Sequence, residues 1–481
     1  MSVVSEDLRR TARFAFERSD HHRLKKVCRA ILEADPHDAD ARRLLGLAAL
    51  KDDRPDLAEA WLRETTARRP DSASAWRNLA RALVELRREG EAEAMLSAAA
   101  ARGVSTSGTM TMLGAIRARL DRAEDARAAF EAAIEMDPAR GEAYWGLAEV
   151  GGLAVDSAAY AQAGRLLETG RVTPAASVAT QFALSEADRR AGRFASFMAR
   201  LHEANAAQRG LLPRHPPSAK DAWRRALRTT PLEARLARKQ ADEATARPVP
   251  IFLVGEPCCG AELAEAMLAS EPGVFAAGEI NLFHGAVARE LARVGRGRGA
   301  MSVARLGDAQ RTLAREAYLE RARRIAPDAR WFVDRSRDLN VHAGALRVLF
   351  PEARIIRLER APIRQGLDIY RRFRPNGDAR ACDLTAIGRD LRAARRGAAA
   401  VLRRPDLKIA MIDADALAAS PIDAEPKLRA AAGLPVRLST FSSPRARRAA
   451  TMLQALSEET LAELERDLAP LRRALGEFGR D

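Results

Sequence analysis

The chain is poor in several things, and each shortage closes off a class of function. Four of its 481 residues are cysteine (Cys28, Cys258, Cys259 and Cys382). That is too few to staple a fold, and adjacent Cys258 and Cys259 do not bridge each other readily. Aromatic residues make up 5%, which leaves few platforms on which single-stranded nucleic acid stacks. The seven histidines are scattered and no Gly-x-Ser-x-Gly elbow accompanies them, so no hydrolase triad is met. Cys258-Cys259 with His284 or His342 lack the spacing of a metal site. No apolar run nears the roughly 20 residues that cross a bilayer. The opening MSVVSEDLRRTARFAFERSDHH breaks its apolar pieces with charge, so it lacks the apolar core, about 7–15 residues long, of a secretory signal. Together these absences predict no metal, no membrane and a reducing, cytoplasmic setting.

What is present in quantity is arginine, alanine and charge. With 47% hydrophobic and 30% charged residues, the chain has material for two or three packed domains. A formal charge of +15 suits an anionic partner such as nucleic acid, an acidic peptide or a polyanionic glycan. The simpler reading is a solvated surface, because the Arg residues alternate with Glu and Asp on helical faces; nucleic acid is not the expected partner.

Internal repetition organises the first part. Pro36, Pro70 and Pro138 fall 34 and then twice 34 residues apart, and Val104 occupies the missing step. Counting within the period, Leu45-Gly46, Ala58 and Leu62 are followed by Trp76, Leu79-Ala80, Ala92 and Leu96, then by Leu113-Gly114, Ala126, Phe130 and Ala133. Small residues recur where two antiparallel helices touch, large ones fill the space between pairs, and Pro ends each second helix. This is the tetratricopeptide signature. Weaker copies precede Pro36 and follow Glu142-Ala143-Tyr144-Trp145. Ser177–Ala207 continues the pattern, with Gly192 as a turn and Phe194 opening a second helix. We read residues 1–210 as a tetratricopeptide repeat array that offers a surface to a protein or peptide partner, with support of the C-terminal region as the lesser alternative. Residues 211–247, with Pro213, Pro216 and Pro217 and then a charged helix, read as a linker.

From Val249 short apolar runs alternate with longer amphipathic stretches. Candidate strands are Val249–Gly255, Trp331–Val333, Arg354–Leu358 and Lys408–Ile412, each followed by a helix, so residues 248–481 read as an α/β parallel-sheet domain. The first strand runs into Gly255-Glu256-Pro257-Cys258-Cys259-Gly260-Ala261-Glu262 and a helix, the arrangement in which unpaired N–H groups and the dipole end hold phosphate. Yet no Lys or Arg lies between Gly255 and Leu263, and Glu262 brings the wrong charge.

The order PIFLVGEPCCGAELAEAMLASEPGVFAAGEI, VDRSRDLNVHAGALRVLFPEARIIRLERAPIRQGLDIY and KIAMIDADALAASPIDAEPKLRAAAGLP resembles the bacterial tetratricopeptide-repeat sulfotransferases, which are related to protein-tyrosine sulfotransferases. The resemblance spans the repeats and residues 249 to about 435. It implies a P-loop-like sulfotransferase domain that moves a sulfuryl group from 3′-phosphoadenosine-5′-phosphosulfate to a hydroxyl of a protein, glycan or small molecule, without a metal. It also implies a polyanionic or hydroxyl-bearing acceptor.

Carried over residue by residue, the family loop Pro-Arg-Ser-Gly-Thr-Thr falls on Pro257, Cys258, Cys259, Gly260, Ala261 and Glu262. The clamping Arg and both Thr hydroxyls are replaced. A carboxylate about 4 Å from a phosphate costs about 4 kcal/mol at an effective dielectric of about 20, unless Glu262 turns outward, is protonated or merely caps its helix. The family Arg and Ser on the 3′-phosphate correspond to Arg360 and Asp368, with Arg357 and Arg364 nearby. The family base corresponds to Glu279 after Gly278, and the family Asp-Lys to Asp334-Arg335. The active reading makes Glu279 the base, Arg335 and the backbone around Gly260 the sulfuryl clamp, and Arg360 the 3′-phosphate anchor. The alternative is a catalytically impaired pseudo-sulfotransferase acting as an interaction scaffold. The family's Gly-Arg-Trp lid has no counterpart, since residues 437–481 lack Trp and read as one amphipathic helix.

Overall fold

The protein is described from a computed structural model, which places residues 6–212 except 19 and 53, 247–293 except 281, 303, 306–336, 339–375, 377–436, 443–454 and 457–476. The linker expected at 211–247 falls almost wholly outside the described residues. Two compact units divide between Ala191 and Gly192.

The first unit is a tetratricopeptide-like helical array: α1 (Glu6–Glu17), α2 (His21–Ala34), α3 (Ala39–Lys51), α4 (Pro55–Arg68), α5 (Ala73–Glu85), α6 (Glu89–Ala101), α7 (Ser107–Arg119), α8 (Ala123–Met136), α9 (Gly141–Glu149), α10 (Ala158–Thr169) and α11 (Pro174–Arg190). The sequence period reappears as a period of caps. Asp38, Ser72 and Thr106 precede α3, α5 and α7, and each side chain accepts the backbone N–H three residues on, from Ala41, Ala75 and Thr109. Such a cap satisfies one of the helix's orphan donors, contributing about 1 kcal/mol. At the next step Arg140 stands before α9 and provides no side-chain cap.

The small residues of the repeat act by close approach. A Cβ on Gly114 would lie 2.8 Å from the Phe130 ring. One on Gly146, in the next pair, would lie 2.2 Å from the same ring. Phe130 is thus the wedge between pairs, and both glycines are required by its volume.

The second unit begins with α12 (Phe194–Leu211) and holds a five-stranded sheet: β1 (Val249–Val254), β2 (Val274–Gly278), β3 (Trp331–Asp334), β4 (Arg354–Glu359) and β5 (Ile409–Asp413). The strand order is β2-β3-β1-β4-β5 and all pairs are parallel. Four strands match those expected from the sequence. The fifth, β2, does not announce itself there, because VFAAG is short and lacks alternation; its pairing with β3 makes it a strand.

The connecting helices are α13 (Ala261–Leu268), α14 (Leu282–Arg293), α15 (Asp308–Ile325), α16 (Ala343–Leu349), α17 (Pro362–Tyr370), α18 (Leu384–Leu402), α19 (Ala414–Ala419) and α20 (Pro421–Ala432). β1 is apolar on both faces because both are covered. Phe252 and Val254 pack with Tyr318, Phe332 and Phe350, whereas Ile251 and Leu253 pack with Leu263, Ile356 and Leu428. The chain leaves β1 where the strand order switches direction, the place at which open α/β sheets bind ligands.

The C-terminus differs from its sequence expectation. The single helix is three: α21 (Pro444–Gln454), α22 (Glu458–Glu463) and α23 (Glu465–Leu475). Ser457 restarts the chain by accepting the Thr460 N–H at 3.1 Å, and Leu468, Leu471 and Leu475 are buried. Periodicity continues through the break, but the local cap ends the helix.

Candidate functional site

The loop after β1 closes on itself. The Cys259 N–H donates to the Glu256 carbonyl at 3.1 Å, and the Leu263 and Ala264 N–H groups donate to the Gly260 carbonyl. The Ala261 N–H donates to the Cys259 thiol, which burial pushes up to about 11. Two of the donors that a phosphate-cradling loop leaves open, the Cys259 and Ala261 N–H groups, are here used within the loop. Two residues pass through the left-handed region, Cys258 at φ 61° and Gly260 at φ 90°. At Gly260 an added Cβ would meet Ala414 at 2.5 Å, so α19 presses directly on the turn. Gln365 Nε2 donates to the Pro257 carbonyl at 2.9 Å, tying the loop to α17 as well.

Cys258 occupies the position of the family's clamping Arg. Its thiol accepts from Arg374 Nη2 at 3.4 Å, and it is the leading interaction that holds the Arg372 guanidinium in its charged form. These arginines follow α17, on a segment fixed from α12, where Gln208 Nε2 donates to the Arg374 carbonyl at 2.6 Å.

Glu262, the next point of doubt in the loop, is half-buried and neither exposed nor neutralised. Burial raises its pKa, but Arg335, Arg372, Arg445 and Arg448 together hold it below the usual carboxylate value. Sequence alone sets Glu262 against an incoming phosphate. The tertiary structure surrounds it with guanidinium groups from the segments that follow β3 and α17 and from α21.

Arg335 and Glu279 do meet: Arg335 Nη1 donates to Glu279 Oε1 at 2.9 Å. What brings them together is Glu265 on α13, a fully buried carboxylate that is absent from the sequence expectations. Its Oε1 accepts the Gly278 N–H at 2.6 Å, and its Oε2 accepts Arg335 Nε at 2.9 Å and Arg445 Nη2 at 2.7 Å. Gly278 sits at a register shift between β2 and β3 with φ 73°, so Glu265 fixes the bulge that aims Glu279. Despite burial, Glu265, Glu262 and Glu279 hold the Arg335 guanidinium well above its ordinary pKa. A Glu three residues inside an apolar helix face was the available signal, since a buried carboxylate requires a cationic partner.

Arg360 and Asp368 also come together, but on each other. Arg360 has a fully buried side chain. Its Nη1 bonds Asp368 Oδ2 and the Cys258 carbonyl, Nε reaches Asp415 Oδ1 at 3.0 Å, and Nη2 reaches the Leu453 carbonyl at 2.8 Å. Four of its five N–H groups are thus committed to protein acceptors. The other Asp368 oxygen accepts Arg371 Nε at 2.5 Å. Burial disfavours the charged Asp368, but Arg371 and Arg360 outweigh it and keep the carboxyl below its usual pKa.

One neighbouring group titrates in an accessible range. Asp334 at the end of β3 is fully buried and accepts from Tyr318 Oη at 3.1 Å and the Ser336 N–H at 2.8 Å. Burial nevertheless pushes its pKa from 3.8 up to about 6. The folded chain therefore takes up this proton more readily than the unfolded one. The resulting stabilisation is complete below about pH 4 and is lost as pH rises through about 6. Asp334→Asn should raise stability at pH 8 by on the order of 2 kcal/mol and change little at pH 4, as measured by urea unfolding at the two pH values.

Residues 250–437 match the sequence profile described as the sulfotransferase family. The C-terminal unit is a sulfotransferase-family domain. Among solved structures, a crystal structure of MamA protein matches with 19% identity and TM-score 0.28 over 38% of this chain and 92% of that one. The Cut9–Hcn1 hetero-tetramer matches with 14% identity and TM-score 0.33 over 41% of this chain and 38% of that one. A mutant O-GlcNAc transferase from Thermobaculum terrenum matches with 15% identity and TM-score 0.21 over 98% and 94%. Likenesses this distant carry no functional conclusion. No curated protein sequence matches the chain. Among the described residues no group of His, Cys, Asp or Glu is arranged to hold a metal ion, and no helix is long and apolar enough to cross a membrane.

Proposed function

We propose that this protein is a tetratricopeptide scaffold carrying a sulfotransferase-family domain whose phosphate anchors are occupied by the protein's own acceptors. The observation that carries this reading is Arg360: its side chain is fully buried and it is bonded to Asp368, Asp415 and the carbonyls of Cys258 and Leu453. A phosphate at Arg360 would have to displace a buried carboxylate already paired at short range. Only then would an incoming anion gain anything from the charge. The loop points the same way, because its Cys259 and Ala261 N–H donors are spent on Glu256 and Cys259. The residues present do not fit 3′-phosphoadenosine-5′-phosphosulfate.

Calorimetry with the desulfated nucleotide, 3′-phosphoadenosine-5′-phosphate, tests this on the full chain. The expected result is no saturable heat at millimolar nucleotide, the range where affinity falls to about 4 kcal/mol. Micromolar binding overturns the reading.

One observation favours the enzyme reading. Glu279 and Arg335 are in contact at 2.9 Å, so a candidate base and a candidate sulfuryl clamp share one site. On that reading a protein, glycan or small-molecule hydroxyl is the acceptor, and Glu279→Gln abolishes sulfuryl transfer in an assay with labelled donor.

A further inference from the structure

Three of the four thiols are sealed inside the fold and one is not. Cys28, Cys259 and Cys382 are buried, whereas Cys258 is half-buried and lies beside the exposed Pro257, so solvent reaches this turn of the loop. Burial pushes the Cys28 thiol up to about 12 and the Cys259 and Cys382 thiols up to about 11. Thiols so placed hold little thiolate at neutral pH and are inert.

Cys258 stands in different company. Its thiol accepts from Arg374 Nη2 at 3.4 Å, and Arg374 meets no carboxylate at ion-pair distance among the described residues. Arg372 is largely buried and makes neither a hydrogen bond nor an ion pair among the described residues; the strongest influence on its charge is Cys258, ahead of the more distant Glu262 and Asp368. Other arginines around the loop are committed. Arg360 is held by Asp368 and Asp415, Arg371 by Asp368, and Arg335 and Arg445 by Glu265. The two guanidiniums that face the sulfur therefore keep donors for an anion that arrives there.

We propose that Cys258 is a site of mixed-disulfide formation with a small carboxylate-bearing disulfide of the glutathione class, whose carboxylates Arg372 and Arg374 receive. The Cys258 sulfur gives up its proton to solvent and attacks one sulfur of the disulfide. The S–S bond breaks, and the departing thiolate leaves with the electron pair and takes a proton from water. Cys258 is oxidised, the released thiol is the reduced product, and no other oxidant enters. Cys259 does not resolve the adduct, because its thiol is buried and accepts the Ala261 N–H, and neighbouring cysteines bridge poorly. The site goes beyond the proposed function and holds whether or not the domain takes a nucleotide, since its readout is a covalent adduct and not a heat of binding.

The test is incubation of the reduced full chain with glutathione disulfide, an anion, or cystamine, a cation, followed by intact mass and peptide mapping. Each rate is taken relative to the same chain unfolded in urea, which removes the intrinsic difference between the reagents. The first adduct is expected on Cys258, and Cys258→Ser should abolish it. Folding should favour glutathione disulfide over cystamine, and added salt should narrow the gap. Arg372→Gln with Arg374→Gln should slow the glutathione reaction about tenfold, the worth of two solvent-accessible charge pairs, and Arg372→Lys with Arg374→Lys should recover most of the rate. No adduct on Cys258, a first adduct on Cys28, Cys259 or Cys382, a preference for cystamine, or a glutamine variant as fast as the parent overturns the site. Thermal unfolding shows whether the glutamine variant folds; if it does not, the parent's choice between the two disulfides and its salt dependence decide the question.

Discussion

Arg360→Ala is expected to lower the stability of the sulfotransferase-family domain by about 3–5 kcal/mol, the usual cost of leaving a buried ion unpaired. Arg360 joins four separate pieces of chain: Asp368 on α17, Asp415 on α19, the Cys258 carbonyl in the loop and the Leu453 carbonyl on α21. Removing it leaves Asp368 buried with Arg371 as its remaining partner. It also frees α21 from the loop. For a domain of this size each kcal/mol moves the midpoint by about 2–4 °C, so a fall of roughly 10 °C in its thermal transition is expected. An arginine reserved for a 3′-phosphate behaves differently. Its loss costs donor affinity while stability hardly changes or improves. Differential scanning calorimetry beside nucleotide calorimetry on the same variant separates the two, and an unaltered transition for Arg360→Ala would remove the basis of the proposed function.

Glu265→Ala should have an effect of the same order, about 3–5 kcal/mol, by the opposite route. It removes the anion and strands the cations. Arg335 and Arg445 both lean on Glu265 Oε2, and the Gly278 N–H on Oε1. Without it the two guanidiniums face one another beside Glu262 and Glu279, and the β2 bulge loses the acceptor that fixes its left-handed turn. Glu265→Gln retains an acceptor but not the charge, and it should recover part of the loss. Urea unfolding of the two variants gives the comparison. A Glu265→Ala protein as stable as the parent would mean that the Arg335–Glu279 contact holds itself and that Glu265 is a passenger.

The repeats are legible because their chemistry is local and repeated. Gly46, Gly114, Phe130 and the 34-residue spacing announce helix pairs wherever they fall, and Asp38, Ser72 and Thr106 then cap them in step. The parallel strands are legible as apolar runs covered on both faces, except β2, whose VFAAG is too short to show a pattern. The C-terminal helix reads as continuous in sequence, wrongly, because α21, α22 and α23 preserve an amphipathic rhythm across two breaks, at the first of which the Ser457 cap restarts the helix.

The candidate site divides along the same line. The sequence by itself determined the residue types: the loop from Pro257 to Glu262 has lost its hydroxyls and its cation, Asp368 stands where a hydroxyl was expected, and Gly278-Glu279 and Asp334-Arg335 are kept. Only the tertiary structure decided what those substitutions do, because charge in a protein is balanced across elements far apart in the chain. Glu262 is held ionised by arginines that follow β3 and α17 and by two on α21, Asp368 by Arg360 and Arg371, and Glu265 pairs with Arg335 and Arg445. A sequence reveals the sign of each group. Burial and distance set which opposite charge it meets, and at the short separations of a desolvated site that choice outweighs the identity of any one residue.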